Sequence, residues 1–422
     1  SIKRINILLL NYLKKIFEVL NIKRKYLFFT IISILFLFLS YKFRLVNEFV
    51  RREHWGILIV NQALTDPSKL FFMSAPITSY LEYLFFKITS YLFHWSVTKA
   101  IDVFGILMSS FYIFVFLLFA DLLGKNKLQK FLLFLLFLSS GFSQILFGWV
   151  EGPVFGVFWM IIFLYISNLY INKRAKFIYV VLSFLLGFWS YAALFWFIPG
   201  LLFLFFLNSK IYKLSLKNFI KGILSKKFVK FILIILIPTI LFLVFMEINL
   251  YTIYKAHIYN IEKVKIGNLL GGGDGIIFIE LFKIKSNWEK FTFFSTGHLI
   301  EFLNMNLLLV PFGGVLFFSL IFLYKKDINF KNPFVYFMLI ILSFFLLFMI
   351  TYNLDYLDVR EAWDIYAVMH IIYIVINSFI LFNYTRRGLF EEIALIMIFV
   401  SFSLSIPWIL SNSPYSYIII AK

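Results

Sequence analysis

Long apolar runs separated by short basic stretches set the pattern of this chain. Eleven runs approach the roughly 17–25 residues that a helix needs to cross a hydrocarbon layer. We place them near 27–43, 101–120, 131–148, 153–171, 177–192, 193–207, 231–247, 306–323, 334–351, 365–383 and 391–410. The fifth and sixth are a short pair hinged around Ser190 and Tyr191. The expected fold is therefore all-α, a polytopic transmembrane helical bundle of about eleven spans forming a single integral membrane domain over residues 1–422. No repeat, linker or separately folding unit interrupts it.

Charge tests this map independently, because short cytoplasmic loops retain Lys and Arg while translocated loops need not. With the N-terminus inside, the inner segments hold 25 of the 40 basic residues and only five acids, Glu18, Asp121, Asp327, Glu391 and Glu392. The expected protein lies in the cytoplasmic membrane with its N-terminus cytoplasmic and its C-terminus outside. The basic N-terminal stretch shows no cleavage site of small residues, so the first run reads as a retained span that also directs insertion.

The two long non-spanning segments, 44–100 and 248–305, then face outward. Segments of that length inside compact domains usually carry function. Within the first, Asn47 to Ala63 can wind as an interfacial helix, with Val50, Ile57, Leu58 and Leu64 on one side and Arg51, Arg52, Glu53 and Asn61 on the other. Ile77 to Phe93 reads as a second amphipathic helix, whose Glu82 and Lys87 argue against a lipid-exposed span. In the second segment, Gly271 to Gly275 reads as a mobile loop ahead of an apolar helix candidate at Ile276 to Phe282.

Composition narrows the class further. At 62% hydrophobic and 14% charged residues, the chain is too apolar for a soluble globule. Its net charge of +19 is scattered over short loops rather than gathered on one soluble face, so no nucleic acid is expected as partner. The absence of cysteine excludes disulfides, thiolate metal sites and a cysteine nucleophile.

Candidate chemistry gathers at the outer boundary. The segment Asp355 to Asp364 sets four carboxylates and Arg360 between two apolar runs. Charge at such a boundary is costly and usually has a task. Arg360 offers a planar fork suited to phosphate, and Asp364 could hold Arg360 or a substrate hydroxyl. An internal Arg–carboxylate network that closes the loop is the alternative. Glu151 opens a span beside Gly152 and Pro153, as a helix-capping acid or as part of a site. Trp149 offers a flat surface for a sugar, or an ordinary interfacial anchor. Glu53 is either a general base or a carboxylate solvated beside Arg51 and Arg52, and Glu48 competes with it. His298, with Glu301 close by in sequence, is a ligand-binding candidate or a structural histidine. No metal-ligand spacing is present. Carboxylates alone could hold Mg²⁺ or Mn²⁺, but no metal or other cofactor is required.

Three stretches carry a resemblance. FGWVEGP (Phe147 to Pro153) resembles a G-Y-V-E segment, FFSTGHLIEFLN (Phe293 to Asn304) an S-x-x-H-L-x-D-x-L-N segment, and VREAWDIYA (Val359 to Ala367) an R-D-W-D-L-F-A segment. These segments belong to members of the GT-C superfamily of polytopic membrane glycosyltransferases, which is related to protein O-mannosyltransferases and the lipid A aminoarabinose transferase. The resemblance implies interfacial helices in the first outer loop and transfer of a sugar from a polyprenyl-phosphate donor to an acceptor at the extracytoplasmic face. It implies Glu53, Glu151 and Asp364 as catalytic acids, with His298, Arg360 and Trp363 in the site. In VREAWDIYA, Glu361 and Ala362 stand where the family segment has a single Asp. A lipid or solute transporter, or a non-catalytic subunit of a larger assembly, is the reading from another class.

Overall fold

A computed structural model describes residues 25–44, 55–65, 75–147, 152–207, 226–245, 279, 281–282, 292–311, 313–351, 366 and 368–414. Among these residues every regular element is helical. In chain order they are α1 (Lys25–Lys42), α2 (Trp55–Thr65), α3 (Pro76–Phe93), α4 (Val97–Leu123), α5 (Lys127–Ser139), a 3-10 segment (Gly141–Phe147), α6 (Gly152–Ile171) and α7 (Phe177–Ser190). A second 3-10 segment (Ala192–Phe197) follows, then α8 (Ile198–Leu207), α9 (Lys226–Phe245), α10 (Thr296–Leu309), α11 (Gly313–Tyr324), α12 (Pro333–Thr351), α13 (Val368–Tyr384) and α14 (Leu389–Asn412).

Four of these, α1, α4, α12 and α14, are long and apolar enough to cross a membrane unaided. The chain is a multi-pass membrane protein. Several remaining apolar helices are shorter. The 14 residues of α7, for example, rise only about 21 Å against a hydrocarbon layer of roughly 30 Å.

Three expectations need correction. The run 131–148 is not one helix, because α5 stops at Ser139 and the chain continues as a 3-10 segment from Gly141. The run 306–323 is not one straight span, because α10 and α11 meet at 95° around Val310 and Pro311. The helix expected at Ile276 to Phe282 does not appear at its described positions, Ile279, Leu281 and Phe282. The hinge at Ser190 and Tyr191 is where the sequence placed it, between α7 and the second 3-10 segment.

Lipid tails are as apolar as leucine, so helices in a bilayer associate through close packing and polar contacts rather than through hydrophobicity. The α1 helix illustrates this. Its buried residues, Phe29, Ser33, Phe36 and Ser40, form one stripe at helical spacing, while Ile34, Leu35, Phe38 and Leu39 face outward. Gly156 of α6 lets Tyr191 lie directly on the helix backbone. Stacked rings fill the interior, among them Phe116 on Phe137 at 4.9 Å.

Ion pairs and polar bonds gather five helix ends on one side. Asp121 at the end of α4 accepts from Lys25 of α1 at 2.8 Å and from Lys130 of α5 at 2.6 Å. Gln129 donates to Glu391 of α14 at 3.1 Å, and Lys125 donates to the carbonyl of Phe382 near the end of α13. All three members of the Asp121 cluster remain partly solvated, and such pairs contribute little. Asp121→Asn is therefore expected to change stability by less than about 1 kcal/mol, read as the thermal midpoint of the purified protein. A loss several times larger would show that the cluster holds the five helix ends together.

Candidate functional site

The last turn of α12 is where the opposite side of the bundle is organised. The final four carbonyls of any helix lack intrahelical partners, and three of them here are met by groups from distant segments. The hydroxyl of Tyr366 donates to Met349 O at 3.5 Å, His298 Nε2 donates to Ile350 O at 2.9 Å, and the Ile279 N–H donates to Thr351 O at 2.9 Å. Trp196, from the second 3-10 segment, stacks on Phe348 at 5.6 Å.

His298 is the one predicted site residue that lies among the described residues. Its helix, α10, is capped by Ser295, whose hydroxyl accepts from the His298 N–H at 3.2 Å. The ring is buried, rests against Phe293 at 5.9 Å, and commits one nitrogen to the α12 carbonyl. That bond fixes the tautomer with the proton on Nε2, because a carbonyl oxygen can only accept. The geometry therefore gives His298 a fastening role at the end of α12.

Glu48, Glu53, Trp149, Glu151, Arg360, Trp363 and Asp364 lie outside the described residues, as does the Gly271 to Gly275 loop. Their flanks are described. The chain leaves α12 at Thr351 and is back against that helix at Tyr366, so the segment carrying Arg360, Trp363 and Asp364 begins and ends at the His298 fastening point. Glu151 immediately precedes α6. Near its start, α6 places Phe155 on Phe104 of α4 at 5.3 Å, and Phe104 lies against Phe85 of α3 at 5.0 Å. The entry to α6 thus adjoins α3.

The α3 helix holds the feature that the sequence reading did not assign a role. Four of its polar residues face inward: Thr78, Ser79, Glu82 and Thr89 are buried, together with Phe86. Its outward face is mostly apolar, with Leu84, Ile88, Tyr91, Leu92 and Phe93 exposed beside Lys87. Thr78 donates to Ser190 O at 3.1 Å, tying α3 to the hinge of α7. Glu82 is only 1% exposed, and its Oε1 finds no hydrogen-bond partner among the described residues. Burial pushes its carboxyl well above the usual carboxylate range, since desolvation penalises the charged form. The signal was present in the sequence as polar residues at 78, 79, 82 and 89, which share one helical face between apolar neighbours.

Among the described residues no three His, Asp or Glu side chains stand together as metal ligands. The chain matches no protein-family profile, no curated protein and no solved structure.

Proposed function

We propose that this protein is a membrane glycosyltransferase that moves a sugar from a polyprenyl-phosphate donor to an acceptor at the extracytoplasmic face. The observation that carries this reading is the convergence at the end of α12. The His298 helix and the connection bearing Arg360, Trp363 and Asp364 meet there, across the bundle from the basic helix ends. On the positive-inside rule, the Asp121 cluster marks the cytoplasmic side and the α12 end marks the outer one. The reading retains about eleven crossings, with the shorter apolar helices completing spans in pairs or through local thinning of the bilayer.

In the transfer, the bond between the anomeric carbon and the phosphate oxygen breaks as the acceptor oxygen bonds to that carbon. A carboxylate among Glu53, Glu151 and Asp364 takes the acceptor proton. Arg360 stabilises the departing polyprenyl phosphate. The phosphate monoester leaves readily, so the scheme needs no metal.

A second reading, proton-linked transport, is favoured by a different observation. Helices interrupted at Tyr191 and at Val310 to Gly313, together with a buried carboxyl at Glu82, are features found where transporters bind ions. One experiment separates the two. Lipid-linked sugars and envelope glycans are compared by mass spectrometry in cells carrying the parent chain or Glu53→Gln, Glu151→Gln or Asp364→Asn at matched protein levels. The transferase reading predicts accumulated polyprenyl-phosphate sugar, a missing outer glycan and at least a hundredfold loss of transfer. Unchanged glycans in every variant would leave transport or assembly as the function.

A further inference from the structure

Glu82 sits where a charge cannot remain without a partner. The elements packed around α3 are α2, α4, α6 and α7. From Trp55 to Thr65, α2 has no ionisable residue. Along α4 the titratable groups are Lys99, Asp102, Tyr112 and Asp121. The far end of that helix commits Asp121 to Lys25 and Lys130. Midway along it, the Tyr112 hydroxyl accepts from the Phe158 N–H at 3.2 Å. Lys99 lies over Trp95 at 5.0 Å. Tyr165 and Tyr170 are the titratable groups of α6, Tyr179 is that of α7, and Tyr191 follows it. On α3 itself, Tyr80, Tyr83, Lys87 and Tyr91 accompany Glu82, and Lys87 is exposed with its ammonium over Tyr83 at 5.3 Å.

Register places Glu82 among these groups. Only His94 to Ser96 separate α3 from α4, and Phe85 meets Phe104, so the two helices run antiparallel. Glu82 then lies about one turn beyond that pair, toward Met108. That stretch of α4, Gly105 to Ser109, carries no charge. An isolated carboxylate in such surroundings costs far more than the neutral acid.

We propose that Glu82 is a proton-binding group that links the seating of α3 to pH. The neutral carboxyl lies docked against α4, α6 and α7, and the carboxylate drives α3 out of the bundle. A charged Glu82 gains its hydration by leaving, and the outward face of α3 is apolar apart from Lys87, so the membrane interface can accept the displaced helix. Among the ties that must break are the Thr78 bond to the α7 hinge and the packing of Phe85 on Phe104 of α4. Movement of α3 would thereby reach Ser190 and the entry to α6. The proposal stands whether the chain transfers sugars or transports a solute.

The sign follows from proton linkage. The docked form holds a proton that the undocked, hydrated carboxyl releases in the ordinary carboxylate range. Docking is therefore fully favoured below that range and weakens as pH rises through it toward the docked group's raised value. Within that window the undocked fraction grows about tenfold per pH unit.

The chain has no cysteine, so a single introduced thiol reports on one position. Thr89→Cys places it on the buried face of α3, and Tyr91→Cys on the exposed face. In lipid nanodiscs, the ratio of the two maleimide labelling rates cancels the thiol's own ionisation and isolates undocking. We expect the ratio to rise with pH in the chain that retains Glu82, and to stay low and flat once Glu82→Gln is added. A flat profile with Glu82 present overturns the proposal without any need for the second variant. An equal rise in the Glu82→Gln background overturns it as well.

Discussion

Gly141→Val is expected to lower the stability of the purified protein by about 3 kcal/mol, at the upper end of what overpacking costs. Gly141 opens the 3-10 segment after α5, and a Cβ built there falls on the carbonyl oxygen of Leu308 in α10, with the Leu309 oxygen 3.3 Å away. A backbone oxygen within a helix cannot rotate aside, so either α10 or the 3-10 segment must move. Gly200 provides the control. A Cβ there meets the Ile341 side chain at 2.8 Å, and a side chain can repack. Gly200→Ala should cost only about 1 kcal/mol. Thermal midpoints read by fluorescence-detected size exclusion order the two variants. Should Gly141→Val melt with the parent chain, the approach of α10 to the 3-10 segment is not a feature of the folded protein.

The same contact has a functional side. The 3-10 segment ends at Phe147, four residues before Glu151, and α10 carries His298. Gly141 thus joins the approach to one candidate acid to the histidine that fastens α12. Where Gly141→Val still yields folded protein, the transfer activity proposed above should fall more steeply than the yield.

What the chain discloses before folding depends on whether a boundary leaves a mark in composition. Spans bounded by charge were legible. The basic residues from Lys173 to Lys176 fix the turn between α6 and α7, and Lys325, Lys326 and Lys331 mark the one between α11 and α12. Breaks inside an apolar run are harder, because hydropathy does not fall where a helix bends within lipid. The 95° turn between α10 and α11 hides in continuous apolar sequence, although Pro311, Gly313 and Gly314 stand at the break and disfavour a straight helix. Ser139, Ser140 and Gly141 mark the end of α5 in the same way.

The site was legible in part, for a different reason. Carboxylates at a membrane boundary stand out by type, and that is what marks Glu151, Asp364 and the others as candidates. Glu82 stood out as well, but its spacing with Thr78, Ser79 and Thr89 gives an ordinary amphipathic pattern. Periodicity reports which residues share a face, not which face is turned inward. In water the polar face of a helix points to solvent, whereas beside lipid it points into the protein. The α3 helix follows the second rule, and only packing against α4, α6 and α7 reveals it.

His298→Leu should destabilise the protein by about 1–3 kcal/mol, because it leaves a partly buried helix-terminal carbonyl without its donor. The range sits above the roughly 0.6 kcal/mol typical of hydrogen bonds between membrane helices. The usual reason for that low value is that a freed group finds another partner, and Ile350 O lies in the last turn of α12, where no later residue of the helix can supply an N–H. His298→Gln separates fastening from acid–base chemistry. The glutamine amide can donate to the same carbonyl but cannot exchange protons near neutrality. If His298 only fastens α12, the glutamine variant recovers most of both stability and transfer, while the leucine variant loses both together. If the ring also handles a proton in the reaction, glutamine restores the thermal midpoint and leaves transfer depressed by on the order of a hundredfold. Equal stability in the leucine variant and the parent chain would show that the Ile350 carbonyl does not depend on His298. The loop bearing Arg360 and Asp364 would then have to be positioned by Tyr366 and Ile279 without it.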